Sequence, residues 1–185
     1  MTKERTILGI DPGTNLLGYG VIRVDSSGPH YVTMGVFDLR KLPDQFEKLA
    51  NINAGVEELI ATYNPDDMAI ESPFYGKNAQ VILKLGRAQG AAIIAATKAG
   101  IPVSEYAPRK AKIAICGNGA ASKEQVEMMV GKTLGVQLEP KYLDATDALA
   151  IALCHYYQLS SPLQGGTASS SWDKFLESHP DRVRK

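Results

Sequence analysis

Four carboxylates in this chain of 185 residues stand out by their position. Asp11 directly follows the apolar run Ile7-Leu8-Gly9-Ile10, and Glu71 closes the run Met68-Ala69-Ile70. Asp144 and Asp147 are spaced i, i+3 at the head of the apolar segment ALAIALCH, so a helix there projects both from one face. An α/β sheet presents functional residues at the carboxyl ends of its strands. If the strands ending at Asp11 and Glu71 are neighbours, their carboxylates converge, an arrangement that repulsion and desolvation oppose unless a cation lies between them. Hard divalent cations such as Mg²⁺ take oxygen ligands, and two of them about 4 Å apart can activate water and stabilise the leaving oxygen of a phosphodiester. Each acid also has an ordinary reading. Asp11-Pro12-Gly13 is a good turn, Glu71 before Ser72-Pro73 can simply end a strand, and acids in a first helical turn complement the macrodipole by about 0.3 to 1 kcal/mol each. It is the joint placement, at two strand ends and one helix start, that points to a metal site.

The residues after Glu71 add a second chemistry. Phe74, Tyr75, Lys77 and Asn78 follow the strand directly, and aromatic rings beside a cation suit stacking on an unpaired base and contact with its phosphate. A buried aromatic turn is the structural alternative. Formal net charge is zero, yet residues 72–123 carry eight basic residues, among them Lys77, Arg109, Lys112 and Lys123, against one acid, Glu105. That segment is net +7 and the remainder −7, a segregation expected where one surface meets a polyanion.

The elements that must position these groups are legible from periodicity. Short β-rich runs at Thr6–Ile10, Gly18–Val24 and Tyr31–Asp38, the last two separated by Ser26-Ser27-Gly28-Pro29, predict an antiparallel meander. From Asp44, Phe46, Leu49, Val56, Leu59, Ile60 and Tyr63 recur at helical spacing up to Asn64-Pro65. A strand Met68–Glu71, a long helix from about Asn78 to Ala99 and a strand Ile101–Tyr106 follow. A short helix after Pro108, a helix opened by a Ser122/Gln125 capping box and a final helix from about Asp144 to Tyr157 complete the series. The order predicts an α/β fold with a five-stranded mixed sheet, the later strands parallel because helical crossovers join them.

A chain of this size buries enough surface to fold without staples. Cys116 and Cys154 lack disulfide or zinc-ligand spacing, no segment approaches the roughly 20 apolar residues of a membrane span, and residues 1–10 lack a secretory core, so a cytoplasmic protein is expected. Residues 1–159 read as one domain. Residues 160–185 read as a flexible tail: a small-residue linker, SSPLQGGTASSS, then a charged stretch around Trp172, Phe175 and Leu176, whose i, i+3, i+4 spacing also fits one docking turn.

Taken together, GIDPGT at 9–14, GYGVI at 18–22, AIESPFYGKNA at 69–79, LKLGRAQG at 83–90 and LDATDALAIALCH at 143–155 resemble the RuvC family of bacterial Holliday junction resolvases over about residues 5–158. The resemblance implies an RNase H-like fold and a magnesium-dependent endonuclease, with two Mg²⁺ per subunit for which Mn²⁺ substitutes. Such an enzyme resolves four-way DNA junctions by paired nicks that leave 5′-phosphate and 3′-hydroxyl ends. It implies that Asp11, Glu71, Asp144 and Asp147 hold the metal, that Phe74 sits at the junction centre, and that Lys112 and Lys123 approach the backbone beside the active site. It further implies a homodimer, with which the small residues Gly86, Ala88, Gly90 and Ala91 of the long helix are compatible, and work alongside the RuvA–RuvB branch-migration complex. The tail after Ser160 matches none of these motifs. A phosphotransferase of the sugar-kinase and actin-like superfamily shares a G-I-D-x-G-T loop, but it needs two copies of the domain, and this chain has one such block and no nucleotide-binding fingerprint.

Overall fold

The computed structural model describes residues 4–73, 78–139 and 141–160. In chain order the elements are β1 (Arg5–Asp11), β2 (Leu16–Asp25), β3 (Gly28–Asp38), α1 (Gln45–Tyr63), β4 (Asp67–Glu71), α2 (Ala79–Lys98), β5 (Val103–Tyr106), α3 (Pro108–Cys116), α4 (Lys123–Leu134) and α5 (Asp144–Ser160). One sheet runs in the order β3-β2-β1-β4-β5. β1 pairs antiparallel with β2 and parallel with β4, β2 antiparallel with β3, and β4 parallel with β5. This is the expected mixed sheet, and it makes the strands ending in Asp11 and Glu71 neighbours. The boundaries moved modestly: β3 starts three residues earlier than its apolar run, at Gly28, because the edge strand tolerates Pro29, which has no N–H to donate. α5 extends through Ser160, one residue into the segment read as tail.

Each start and stop has a local cause. Asp44 caps α1 by accepting from the backbone N–H groups of Phe46 and Glu47 at 2.7 and 2.8 Å. Asn64, at φ 45°, ends α1 in the left-handed conformation that asparagine tolerates. Ser122 and Gln125 form both bonds of the anticipated capping box on α4. β1, central and covered on both faces, is correspondingly apolar from Ile7 to Ile10.

The strict two-residue alternation of the strands sorts the core into two layers. Leu8, Ile10, Leu17, Val21, Met68 and Ile70 face α1 and α2, where they meet Ile52, Val56, Leu59 and the alanines 88, 92, 95 and 96. Ile7, Ile22, Val24 and Ala69 face α5, with α3 and α4 packed outside it. Eight consecutive residues of α5, Ala148–His155, are buried, as a helix packed between a sheet and two further helices requires. On this face the sheet presents glycines. A Cβ on Gly9 would overlap the Ala148 carbonyl, one on Gly18 the Asp144 carbonyl, and one on Gly20 would lie 2.7 Å from the Leu149 side chain. Gly9→Ala is therefore expected to push α5 outward and lower the unfolding free energy by about 1 to 3 kcal/mol, measurable by urea denaturation; a neutral change would mean that α5 is not held this close.

A polar chain crosses beneath the same helix. The Tyr106 hydroxyl lies 2.7 Å from His155 Nδ1, His155 Nε2 is 3.7 Å from Asp67 Oδ1, and Asp67 Oδ2 is 2.8 Å from the Arg5 guanidinium. Burial pushes the His155 pKa below its ordinary value, and the facing Asp67 only partly opposes this. The unfolded chain thus takes up a proton near pH 6.5 that the folded chain refuses, so this contribution to stability is present above about pH 6.5 and is lost as pH falls. The stability advantage of the wild type over His155→Gln should accordingly be larger at pH 7.5 than at pH 5, as read by denaturation at both values. No helix among the described residues is long and apolar enough to cross a membrane.

Candidate active site

The alternation that puts Ile7 and Gly9 under α5 puts Asp11 there too, and Ala69 carries Glu71 to the same face on the adjacent strand. α5 begins directly above. Its first turn is set by bonds from the N–H groups of Thr146 and Asp147 to the Leu143 carbonyl, both 2.9 Å, which aims Asp144 and Asp147 at the sheet edge. Carboxylate oxygens of Asp11, Asp144 and Asp147 lie within 4.8 Å of one another. Glu71 is not part of that tight group, but it lines the same cavity of about 320 Å³, with Asp11, Lys112, Lys123, Asp144 and Asp147. Of the four acids expected to converge, three cluster and the fourth faces them.

The electrostatics are those of crowded like charges. Burial, then the charges of Glu71, Asp147 and Asp144, hold the Asp11 pKa well above the usual carboxylate range, with Lys123 opposing. Burial and Asp147 push Glu71 up to about 7 against the pull of Lys123 and Lys112. Lys123 supplies the counter-charge: its Nζ is 2.7 Å from Asp147 Oδ2 and 3.4 Å from Asp144 Oδ1. Burial disfavours the charged lysine, but the bond and charge of Asp147, with Asp144 and Asp11, outweigh this and raise its pKa. An ammonium held between two of the clustered acids shows that the site demands positive charge. Acid oxygens converging in a cavity of this kind form a donor set that fits a hard cation.

Two devices that the sequence did not reveal brace the acids. Lys48 reaches from α1 to donate to the Thr14 carbonyl (3.0 Å) and Asn15 Oδ1 (3.2 Å), clamping the loop that follows Asp11. Gln89 of α2, almost fully buried, donates to Glu105 Oε2 at 3.0 Å and to the Glu71 carbonyl at 3.4 Å. Its place beside Ala88 on the apolar flank of α2 was the one available signal.

Among the described basic residues of 72–123, only Lys112 and Lys123 line the cavity, and Lys112 donates to the Ala121 carbonyl at 2.7 Å. Arg109 is exposed at the start of α3, its side chain packed over Gly119 and outside the cavity lining. Lys98 is paired with Glu57 at 2.6 Å on the α1 side of the sheet. Asn78 caps α2, accepting from the N–H groups of Gln80 and Val81. Phe74, Tyr75 and Lys77 lie outside the described residues.

The family model described as crossover junction endodeoxyribonuclease RuvC matches residues 7–155, a span that begins within β1 and ends near the close of α5. The chain belongs to the RuvC family. A Bacteroides fragilis crossover junction endodeoxyribonuclease RuvC is 50% identical over 184 residues, covering 98% of this chain and 97% of that one. The Thermus thermophilus RuvC structure aligns with TM-score 0.75 at 35% identity, over 84% of this chain and 95% of that one. A second structure, T. thermophilus RuvC in complex with a Holliday junction substrate, aligns with the same TM-score at 32% identity. The fold is thus RNase H-like, and RuvC nucleases are metal-dependent, in keeping with the acid cluster. In chelator-containing buffer Asp11→Asn, which removes one buried charge from three neighbours, should raise the melting midpoint by about 2 to 4 °C, the shift that about 1 kcal/mol gives in a chain of this size. A lowered midpoint would show that the cluster is not strained.

Proposed function

We propose that this chain resolves four-way DNA junctions by Mg²⁺-dependent hydrolysis, cutting two opposed strands symmetrically so that ligase can seal both nicks. The observation that carries the reading is the convergence of Asp11, Asp144 and Asp147, with Glu71 across the same cavity, in a chain of the RuvC family. These four acids would hold two divalent cations, Mg²⁺ or in its place Mn²⁺. When bound, such cations supply water activation and charge neutralisation for in-line displacement at phosphorus. Asp11, fixed by β1 and the Lys48 clamp, and Asp147, fixed by the first turn of α5, set the geometry from opposite sides. Lys123 lies at the cavity with one ammonium shared between carboxylates and can exchange one of them for a phosphate oxygen; Lys112 approaches from α3. Both would stabilise charge on the scissile phosphate as well as dock the backbone. Phe74 is the proposed contact to the opened junction centre, stacking there as aromatic side chains do on unpaired bases, and Tyr75, Lys77, Asn78 and Arg109 are proposed further contacts to the DNA.

A two-fold protein suits a substrate with two-fold symmetry. α2 leaves Leu83 and Ile94, eleven residues and so about three full turns apart on one face, exposed, which supports pairing of two copies across it. The cytoplasm, beside the RuvA–RuvB branch-migration complex, is the setting that this reading entails.

Incubation of the protein with synthetic four-way junctions, with and without Mg²⁺, tests the proposal on a sequencing gel. Asp11→Asn, Glu71→Gln, Asp144→Asn and Asp147→Asn should each abolish nicking with junction binding nearly intact, because such acids stabilise the transition state more than they hold the substrate. Mg²⁺ should raise the melting midpoint of the wild type by mass action and leave that of Asp11→Asn nearly unmoved. Nicking at the wild-type rate by Asp11→Asn would overturn the assignment. Junction affinity should fall steeply with salt, log K dropping by roughly 0.9 for each neutralised phosphate. Lys112→Gln and Lys123→Gln should each lessen that slope by about one unit and reduce cleavage further than binding, whereas Lys98→Gln should leave cleavage unchanged. A salt-independent wild type would exclude nucleic acid as the substrate.

A further inference from the structure

At the end of α5 remote from the acids, its last turn meets the start of β1 and the β2–β3 turn around a groove of about 570 Å³. Apolar Val24, Tyr156 and Leu159 form its walls, Arg5 and Asp25 its charged rim, and Ser160, from which the chain continues, its margin. Leu159 is 39% exposed on a helix whose preceding turns are buried. β1 spans the sheet from this groove to the catalytic cavity, about 20 Å for its seven residues.

We propose that the groove is the docking site of this chain's own segment Trp172–Glu177. Trp172, Phe175 and Leu176 are the large apolar residues that follow the small-residue linker, at a spacing that lets one turn present all three together. Eleven residues, Ser161 to Ser171, separate the segment from Ser160 at the groove's margin; a Gly/Ser-rich chain of that length spans about 18 Å, which would hold the segment there at an effective concentration of millimolar order. A contact that would be weak between separate molecules is then sufficient. Charge does not oppose this: the segment carries two acids, Asp173 and Glu177, and the groove has Arg5 at its rim. The match to the Bacteroides fragilis relative covers 98% of this chain and so extends into this segment, while the Thermus thermophilus structure matches 84%.

Trp172 is the single tryptophan of the chain, so the full-length protein carries its own reporter. Docking predicts a native emission blue-shifted from that in concentrated guanidinium chloride, and acrylamide quenching several-fold weaker than in the unfolded chain. Leu159→Glu at the groove wall and Phe175→Ser/Leu176→Ser in the tail should both shift emission and quenching to the unfolded-like values, with far-ultraviolet circular dichroism and junction cleavage unchanged. The tail variant changes none of the residues of the two core layers and serves even if the groove variant fails to fold. Unfolded-like emission in the wild type, or protection that survives both variants, overturns the proposal. So does exchange between copies: when Leu159→Glu is unfolded and refolded together with Trp172→Phe, protection of Trp172 would place the tail in the groove of a second chain, whereas docking within one chain leaves it unprotected.

Discussion

The site depends on how closely α5 lies on the sheet. Gly9, Gly18 and Gly20 face the helix from β1 and β2, and at all three a Cβ would collide with it, backbone atoms included. Small side chains on both surfaces bring Asp144 and Asp147 down to within ligand distance of Asp11. The carboxylates are short, so even the thickness of one methyl group matters: a helix seated on alanines instead would carry its acids out of the cluster while leaving the topology intact. Packing and chemistry are thus one constraint. The buried run from Ala148 to His155 supplies the free energy that holds the helix down, at about 1.5 to 3 kcal/mol for each fully buried large aliphatic side chain.

Part of that free energy is spent against repulsion at the other end of the same helix. Asp11 and Glu71 are held above their ordinary pKa by burial first and then by neighbouring carboxylates, Glu71 acting on Asp11 and Asp147 on both, and the fold tolerates this because strands and helix over-determine their positions. Lys123 relieves the strain from the first turn of α4, a position fixed by the Ser122 cap. A lysine there can serve as counter-charge in the free protein and as phosphate ligand on a substrate, since an ammonium is a compact point charge without the fixed geometry of a guanidinium.

The bracing reaches beyond the cavity. Lys48 ties the loop after Asp11 to α1, and Gln89 ties the end of β4 and Glu105 to α2. Both contacts come from the opposite face of the sheet to α5, so the two acid-bearing strands are gripped from both layers. Leu83 and Ile94 of α2 are exposed, so any chain that covers them bears on the helix whose Gln89 bonds the Glu71 carbonyl.

The element order, the mixed sheet, the caps at Asp44 and Ser122 and all four acids were legible in the chain itself, because periodicity, turn chemistry and strand-end position are local properties. The motifs GIDPGT, AIESPFYGKNA and LDATDALAIALCH are by themselves specific enough to imply the family. Two sorts of fact were not legible. Which acids form the tight cluster and which stands across the cavity depends on the rise of α5 over β1 and β4, a distance set by glycines that lie more than 120 residues from the helix they meet. What a cation does depends equally on its tertiary neighbours: Lys123 meets carboxylates, Lys112 a carbonyl at the cavity, Lys98 a glutamate on another helix and Arg109 a glycine, although all four read alike in a segment of net charge +7. Composition counts charges, but only the fold decides which of them face the same volume of space.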